Sequence, residues 1–208
     1  MIYTESIRSA LQVSIEVHEV SQQQKRKGKS IPYITHPLTV GLILARSGAN
    51  EETIVAGILH DTIEDSTNVL PVTTETLTAR FGSSVATLVD SVTESCKEQV
   101  WHDRKNQALK RVATYPHESV LIKSADVISN DWELLDDFHK EGNSVFDRFN
   151  VSKADRLLQQ HRMIEALLQQ WPESPLAGDL RAVSIALRRH IAGPGPVPAG
   201  DFTARNRT

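Results

Sequence analysis

The chain has 208 residues, a length that suits one compact domain better than two small ones. Its hydrophobic content of 39% is enough for a core, and its charged content of 24% is ordinary for a globular protein. A formal net charge of −3 excludes a general basic surface of the kind that binds nucleic acid, so an anionic ligand must be held by local basic groups or by a metal ion.

The cysteine content and the hydropathy pattern indicate where the protein resides. A single cysteine, Cys96, excludes an internal disulfide and favours a reducing compartment, with packing as its expected role. The N-terminal segment mixes glutamates into a helical pattern, and no segment approaches the ~20 apolar residues of a membrane helix. The sequence therefore predicts a soluble, cytoplasmic protein with no membrane partner.

Helical patterns dominate the first part of the chain. Apolar residues at near-helical spacing predict a helix within residues 3–20, followed by a polar, basic loop. Pro37 is tolerated in a first helical turn, which places His36 at or just before the start of a second helix ending near Gly48. Asn50 is suited to cap the helix that follows.

Helical patterns also dominate the second part of the chain. Further helices are predicted within residues 73–95, where Phe81 and Gly82 divide two of them, and at about 101–115, 117–135, 153–171 and 176–190. There is no alternating strand pattern of useful length and no internal repeat. We predict an all-α fold, with one domain over residues 1–192 and a disordered Gly/Pro-rich tail over residues 193–208.

The segment "ILHDTIEDS", residues 58–66, concentrates ionisable side chains behind an apolar run. On one continuous helix, His60, Asp61, Glu64 and Asp65 fall within an arc of roughly 140°, opposite Val55, Leu59 and Ile63. Such like charges at i, i+4 cost about 0.2–0.5 kcal/mol. A solvated face is the ordinary interpretation of an acidic cluster, but the apolar residues around this one favour a more enclosed position. A divalent cation would turn the repulsion into coordination.

Two further residues would complete a set of metal ligands. Asp126 lies in "VLIKSADVISN", a helical pattern that is mostly apolar, and a buried carboxylate needs a partner. Lys123, one turn earlier, is the alternative to a metal ion. With His36, His60 and Asp61, Asp126 would give two histidines and two carboxylates, a set suited to Mn²⁺, Fe²⁺ or Zn²⁺.

These motifs resemble those of HD-domain metal-dependent phosphohydrolases, whose H…HD…D pattern binds a metal. The resemblance is closer to the hydrolase domain of the RelA/SpoT alarmone enzymes and to the small alarmone hydrolases of the Mesh1 type. "IPYITHPLTVGLIL" is similar to the family's "PYxxHPxxVA", and "AGILHDTIEDS" to its "AALLHDxxEDT". "FGSSVATLVDSVTE" and "VLIKSADVISN" match two later stretches in the family's order, so the resemblance covers about residues 7–170.

The resemblance implies a reaction and a metal site. In the family the 3′-pyrophosphate is removed from ppGpp or pppGpp, which leaves GDP or GTP and releases pyrophosphate. The implied Mn²⁺ ligands are His36, His60, Asp61 and Asp126. Fe²⁺ and Zn²⁺ are the alternative ions. Glu64 and Asp65 would orient and deprotonate the attacking water.

The resemblance also implies residues that bind a small-molecule nucleotide. Lys25 and Arg26 would pack on the base, although a solvated basic loop explains them about equally well. Arg104 and Lys105 would face the pyrophosphate, and Asn130 would contact the nucleotide. The other histidines, His18 among them, are interpreted as surface or capping residues, and Tyr33 as core packing or pocket lining. The sequence leaves oligomerisation open.

One segment departs from the family's pattern. The "ADRLHN" stretch reads "ADVISN" here, so Val127 replaces a basic residue and Ser129 replaces a histidine. The 3′-pyrophosphate chemistry is therefore more secure than the choice of guanine. Alternatives are ppApp, the 3′-phosphatase reaction on NADPH, or a non-catalytic nucleotide-binding regulator.

Overall fold

The computed structural model describes residues 3–94 and 100–192, and within these ranges it has helices and no β-strand. The helices are α1 Glu5–Ile15, α2 Thr35–Arg46, α3 Glu51–Leu59, α4 Thr62–Asp65, α5 Thr74–Phe81, α6 Ser83–Val92, α7 Trp101–Val112, α8 His117–Glu141, α9 Lys153–Gln170 and α10 Ala177–Leu187. Glu16–Val20 and Arg188–Ala192 form π-helical turns, and Gly142–Arg148 a 3₁₀ segment. The predicted all-α fold is confirmed. Cys96 and the predicted tail, 193–208, lie outside the described residues.

The longest helix, α8, lies at the centre of the fold. It packs against α2, α3, α6, α9 and α10. Apolar side chains such as Ile122, Ala125 and Leu135 are fully or almost fully buried on it. Because a helix surrounded by other helices has few exposed positions, α8 also carries polar residues such as Asp126 into the interior.

Two glycines allow α2 and α3 to pack closely. A Cβ atom on Gly57 would lie 2.2 Å from Leu44 Cδ1, and a Cβ on Gly41 would lie 2.8 Å from Ile58 Cγ1. No side chain therefore fits at either position without displacing its neighbour. The crossing brings the two histidines of these elements together, with the ring centroids of His36 and His60 5.1 Å apart.

Helix α3 begins as predicted but ends earlier than one continuous acidic helix requires. Asn50 caps it by accepting a hydrogen bond from the Thr53 amide at 2.9 Å. At its end, His60 Nδ1 donates to the Gly57 carbonyl at 2.8 Å, and the Thr62 hydroxyl donates to the Leu59 carbonyl at 2.7 Å.

These side-chain bonds use carbonyls that the next helical turn would have needed. The backbone turns at Asp61, with φ −96° and ψ −4°, and the short helix α4 starts at Thr62. The prediction that His60, Asp61, Glu64 and Asp65 share one face of one helix is therefore wrong.

Candidate metal centre and active site

The structure brings the four predicted metal ligands together. His36, His60 and Asp126 are buried, and each offers a ligand atom within 4.8 Å of the others. Asp126 Oδ1 lies 3.2 Å from His36 Nε2 and 4.0 Å from His60 Nε2. Asp61 Oδ2 joins them at 3.1 Å from His60 Nε2 and 3.8 Å from His36 Nε2.

The orientation of both histidines fits a divalent cation. His60 Nδ1 bonds the Gly57 carbonyl, and His36 Nδ1 lies 3.1 Å from the Ser129 hydroxyl, so Nε2 of each ring faces the cluster. His60 Nε2 is buried with no hydrogen-bond partner, because Asp61 Oδ2, although near, does not have hydrogen-bonding geometry. Imidazole nitrogens with carboxylate oxygens suit Mn²⁺, Fe²⁺ or Zn²⁺.

The charges of the cluster are strongly coupled. Burial disfavours the charged form of His60, but Asp61 and Asp126 outweigh it and raise its pKa to about 9. Burial and the nearby His60 lower the pKa of His36. Against the effect of burial, Lys123 and the two histidines hold the pKa of Asp126 well below its ordinary value.

Lys123, the alternative partner of Asp126, is present but occupies only one side of the carboxylate. Its Nζ lies 2.8 Å from Asp126 Oδ2, whereas Oδ1 faces the histidines and accepts a hydrogen bond from Asn130 Nδ2 at 2.5 Å. When His60 is neutral, as a metal ligand must be, the two carboxylates of Asp61 and Asp126 exceed the one buried lysine in charge, which suits a cation in the cluster.

The two predicted catalytic carboxyl groups occupy different positions. Glu64 lines a cavity of about 250 Å³ that also contains His36, His60, Asp61 and Asp126. Burial, with Asp61 nearby, raises the pKa of Glu64 to about 7. Its Oε1 accepts a hydrogen bond from the Glu94 amide.

Asp65 does not line this first cavity but a second, larger one. Its Oδ2 accepts a hydrogen bond from Gln24 Nε2 at 2.9 Å. The structure therefore places Glu64 in the same cavity as the two histidines and Asp65 at the second cavity.

The predicted pyrophosphate-binding pair lies at the first cavity. Arg104 and Lys105 line it, and both contact Glu94: Arg104 Nε lies 3.0 Å from Oε2, and Lys105 Nζ bonds Oε1. Arg156 of α9 lines the same cavity. No sequence pattern predicted Arg156 as a site residue, because only the packing of α9 against α7 and α8 brings it there.

The second cavity, of about 580 Å³, holds the residues predicted to bind the base. Arg26 hydrogen-bonds Glu133 Oε2 through Nε at 2.8 Å and Asn130 Oδ1 through NH2 at 2.6 Å. Its guanidinium carbon lies 5.3 Å from the ring centroid of Tyr33. Lys25 is exposed and pairs with Glu19 at 3.6 Å. Tyr33, Arg104, Asn130 and Arg156 line both cavities.

Sequence reasoning underestimated two residues next to this site. Tyr33 donates a hydrogen bond from its hydroxyl to Asp61 Oδ2 at 2.5 Å, and its place three residues before His36 was the available signal. His18 was interpreted as a surface or capping residue, and this is wrong: it is fully buried, with its ring centroid 4.9 Å from that of Tyr33. No sequence signal pointed to His18, because the turn after it determines what it meets.

An all-helical fold with a buried cluster of two histidines and aspartates defines an HD-type domain. A family model described as "HD domain" matches residues 10–141, and the chain belongs to this family. No described helix is long and apolar enough to cross a membrane.

The resemblance to the RelA/SpoT and Mesh1-type proteins is also confirmed. The chain is 35% identical over 130 residues to a guanosine-3′,5′-bis(diphosphate) 3′-pyrophosphohydrolase of Aquifex aeolicus, covering 62% of this chain and 18% of the relative. It is 32% identical over 120 residues to the 3′-pyrophosphohydrolase MESH1 of Danio rerio, covering 57% and 64%. It thus spans less than two thirds of the length of either.

A solved structure shows the same fold. It is described as that of a metazoan ortholog of SpoT that hydrolyzes ppGpp, and it superposes with a TM-score of 0.70 at 22% identity. The match covers 86% of this chain and 94% of that one.

Proposed function

We propose that the chain is a Mn²⁺-dependent, cytoplasmic 3′-pyrophosphohydrolase of ppGpp and pppGpp, with residues 1–192 as its hydrolase domain. One observation carries the proposal: the buried ligand cluster of His36, His60 and Asp126 opens into a cavity that also contains a carboxyl group and basic side chains. The names of the relatives from Aquifex aeolicus and Danio rerio support the same reaction.

The residues that would hold the cation are His36, His60, Asp61 and Asp126. The first two and Asp126 offer ligand atoms within 4.8 Å of one another, and Asp61 Oδ2 lies 3.1 Å from His60 Nε2. A bound divalent cation would supply Lewis-acid stabilisation of the phosphoryl oxygens and would lower the pKa of the attacking water. Contacts outside the cluster orient its histidines: the Ser129 hydroxyl and the Gly57 carbonyl fix the direction in which the two imidazoles point.

Glu64 is the proposed general base. A carboxyl group with a pKa of about 7 can accept a proton from water near neutral pH, and it lies in the same cavity as the ligand cluster. The water oxygen forms a bond to the phosphorus attached to O3′, the O3′–P bond breaks, and O3′ takes up a proton as pyrophosphate leaves. Arg104 and Lys105 would stabilise the negative charge on the departing group.

The two adjoining cavities suit a substrate that is anionic at one end and carries a base at the other. The 3′-pyrophosphate would occupy the first cavity. The nucleoside would extend past Asn130, which lines both cavities, towards Arg26 and Lys25 in the second. An arginine that lies over Tyr33 offers a planar cation on which a purine can stack.

Substrates with another base or another 3′ group form the second candidate. Val127 is buried and lines the first cavity at the position where the family carries a basic residue, and the nearby Lys123 is already bonded to Asp126. Arg26 is held by Glu133. These two features favour testing ppApp and NADPH beside ppGpp, and a regulator that binds nucleotide without turnover is the third candidate.

The deciding experiment measures product release by the purified protein. We expect Mn²⁺-dependent release of pyrophosphate and GDP from ppGpp, lost on chelation by EDTA. Release from ppApp, or of phosphate from NADPH, in preference to ppGpp would reassign the substrate. Binding of nucleotide and metal without any product would support the regulator instead.

Substitution of the proposed base tests the mechanism. Glu64→Gln removes the proton acceptor but no proposed ligand, so we expect metal affinity to remain while kcat falls about 10²- to 10⁴-fold. Asp61→Ala should lose metal affinity and turnover together. Glu52→Gln, the same change at an exposed position of α3, is the matched control and should retain full activity. Full activity of Glu64→Gln would refute its role.

A further inference from the structure

We propose that Gln24 is a positioning residue for the Asp65 carboxylate and that the buried His18 fixes the Gln24 amide in turn. The inference rests on the proposed function and on the role that the resemblance to the family implies for Asp65, which is to orient the attacking water from the second cavity. It concerns two residues that neither hold the cation nor line the first cavity.

The contacts form one directed chain. His18 Nδ1 lies 2.8 Å from Gln24 Oε1, and Gln24 Nε2 lies 2.9 Å from Asp65 Oδ2. The direct distance from His18 Nδ1 to Asp65 Oδ2 is 3.9 Å, too long for a hydrogen bond. The histidine therefore acts on the aspartate through the amide.

The chemistry of the three groups fixes the direction of each hydrogen bond. A carboxylate can only accept, so the Gln24 group facing Asp65 must be the NH₂. The carbonyl end of the amide then faces His18, whose Nδ1 must carry the hydrogen. Reversing the amide would place its oxygen against the carboxylate oxygen and would break the hydrogen bond to Asp65.

The backbone before Gln24 forms a turn that directs this side chain towards Asp65. After the π-helical turn Glu16–Val20, Gln23 takes a φ of +47°, a left-handed conformation that is unfavourable for a residue with a side chain. The turn is closed by a hydrogen bond from the Gln24 amide to the His18 carbonyl at 2.7 Å. The Tyr33 amide then donates to the Gln24 carbonyl at 2.8 Å, which ties the same residue to the segment that leads into α2.

Burial makes the arrangement rigid. His18 is fully buried, its ring lies against that of Tyr33, and its Nε2 has no hydrogen-bond partner. A buried imidazole with one unpartnered nitrogen is costly to keep for packing alone, since an apolar ring would fill the same space. The hydrogen bond from His18 Nδ1 to Gln24 therefore explains why a histidine occupies this position.

A double-mutant cycle tests the inference. Gln24→Leu replaces the amide with an apolar side chain of comparable volume and removes both hydrogen bonds. We expect kcat to fall about 10- to 100-fold, with KM for the nucleotide and affinity for Mn²⁺ unchanged. In an Asp65→Asn background the same substitution should cause no further loss, because the group on which it acts is already altered. A full, multiplicative loss in that background would overturn the proposal.

His18→Phe tests the second link. It keeps a ring against Tyr33 but cannot donate to Gln24, so kcat should fall in the wild-type chain and be unaffected in the Gln24→Leu chain. Gln22→Leu is the matched control from the same loop, because the Gln22 amide bonds the Asp65 backbone carbonyl and not the carboxylate. Its loss should be clearly smaller than that of Gln24→Leu, and an equal loss would indicate a general effect on the loop.

A crystal structure of Gln24→Leu gives a result that does not depend on turnover. The Asp65 carboxylate should leave its wild-type position, and an unchanged position would overturn the inference. If the wild-type protein released no product from any of the nucleotides, the proposed function would fail, but this structural comparison would still test the positioning of Asp65.

Discussion

Ser129 contacts one of the two histidines of the proposed metal centre. It occupies the position at which the family's motif has a histidine, and its hydroxyl lies 3.1 Å from His36 Nδ1. A partner at Nδ1 fixes the tautomer of a ligating histidine and directs Nε2 to the cation. The serine therefore gives His36 an orienting partner at Nδ1 in this chain.

We predict that Ser129→Ala weakens Mn²⁺ binding about 10- to 100-fold without unfolding the protein, because His36 loses its orienting partner. Titration of the metal-free protein with Mn²⁺, followed by electron paramagnetic resonance, measures the affinity. Ser129→Thr keeps the hydroxyl and should restore most of it. Ser144→Ala, which removes an exposed hydroxyl bonded to the Glu141 carbonyl, is the control. Unchanged affinity in Ser129→Ala would assign the contact to packing.

Asp131 is a buried carboxyl group whose surroundings do not stabilise its charge. Its side chain is fully buried, and neither oxygen has a hydrogen-bond partner of good geometry. Burial raises its pKa to about 7, and Gln160 and Arg156 on α9 offset the rise only in part. The folded protein therefore binds this proton more tightly than the unfolded chain does.

The sign of the pH effect follows from this difference. Below about pH 4 the carboxyl is protonated in both states, whereas between about pH 4 and pH 7 only the unfolded state ionises, so stability falls as the pH rises. We predict that Asp131→Asn raises the free energy of unfolding by about 1–3 kcal/mol at pH 7.5 and has little effect at pH 4. Urea unfolding of both proteins across this range measures it. Asp136→Asn, on the exposed side of α8, should show no such trend.

At the scale of elements, the crossing of α2 and α3 determines the geometry of the centre. His36 lies in the first turn of α2 and His60 just after the end of α3, so the distance between these helices fixes the distance between the imidazoles. Gly57 makes the close crossing possible, because Leu44 occupies the space that a side chain at position 57 would need.

We therefore predict that Gly57→Ala both destabilises the fold and weakens the metal site. A Cβ atom 2.2 Å from Leu44 Cδ1 forces the helices apart, which should cost about 1–3 kcal/mol in unfolding free energy and lower Mn²⁺ affinity. Thermal unfolding and metal titration measure the two effects. Gly178→Ala is the control: it is exposed in α10, with no atom within 4 Å of the added carbon, and should be neutral or slightly stabilising. Wild-type metal affinity in Gly57→Ala would contradict this account.

The elements also show what a sequence can reveal about this fold. The 3.6-residue periodicity and the caps predicted the helices well, and Asn50 caps α3 as expected. The end of α3 was missed, because it depends on side-chain bonds from His60 and Thr62 to the preceding carbonyls. His18 was missed for a similar reason, since a π-helical turn and the left-handed Gln23 lie between it and its partner. Local spacing predicts regular helices but not the bonds that interrupt them.

The site residues also divide into those that the sequence could predict and those that only the folded structure reveals. His36, His60, Asp61 and Asp126 could be assembled from motifs because each lies in a segment with a recognisable pattern. Arg156 could not, because α9 reaches the cavity only through long-range packing. The roles of the assembled residues remain predictions until turnover and metal binding are measured.

For the whole molecule, the ligand cluster links parts of the chain that are far apart in sequence. His36 comes from α2, His60 from the end of α3 and Asp126 from the centre of α8, and these elements pack on one another. A cation bound by all three is present in the folded state only, so its binding free energy adds to the free energy of unfolding. Without it, the two buried carboxylates of Asp61 and Asp126 are compensated by Lys123 and by a protonated His60 instead of by the cation.

Removal of metal should therefore lower thermal stability in a way that depends on these ligands. At a free Mn²⁺ concentration of about 100 times Kd, linkage predicts about 2.7 kcal/mol of added stability, which corresponds to a rise in Tm of about 5–10 °C over the EDTA-treated protein. Differential scanning calorimetry at several Mn²⁺ concentrations measures the rise, which should continue logarithmically beyond saturation. His36→Ala should abolish it, whereas Glu64→Gln, which removes no proposed ligand, should retain it. A rise that persisted in His36→Ala would place the stabilising cation elsewhere in the molecule.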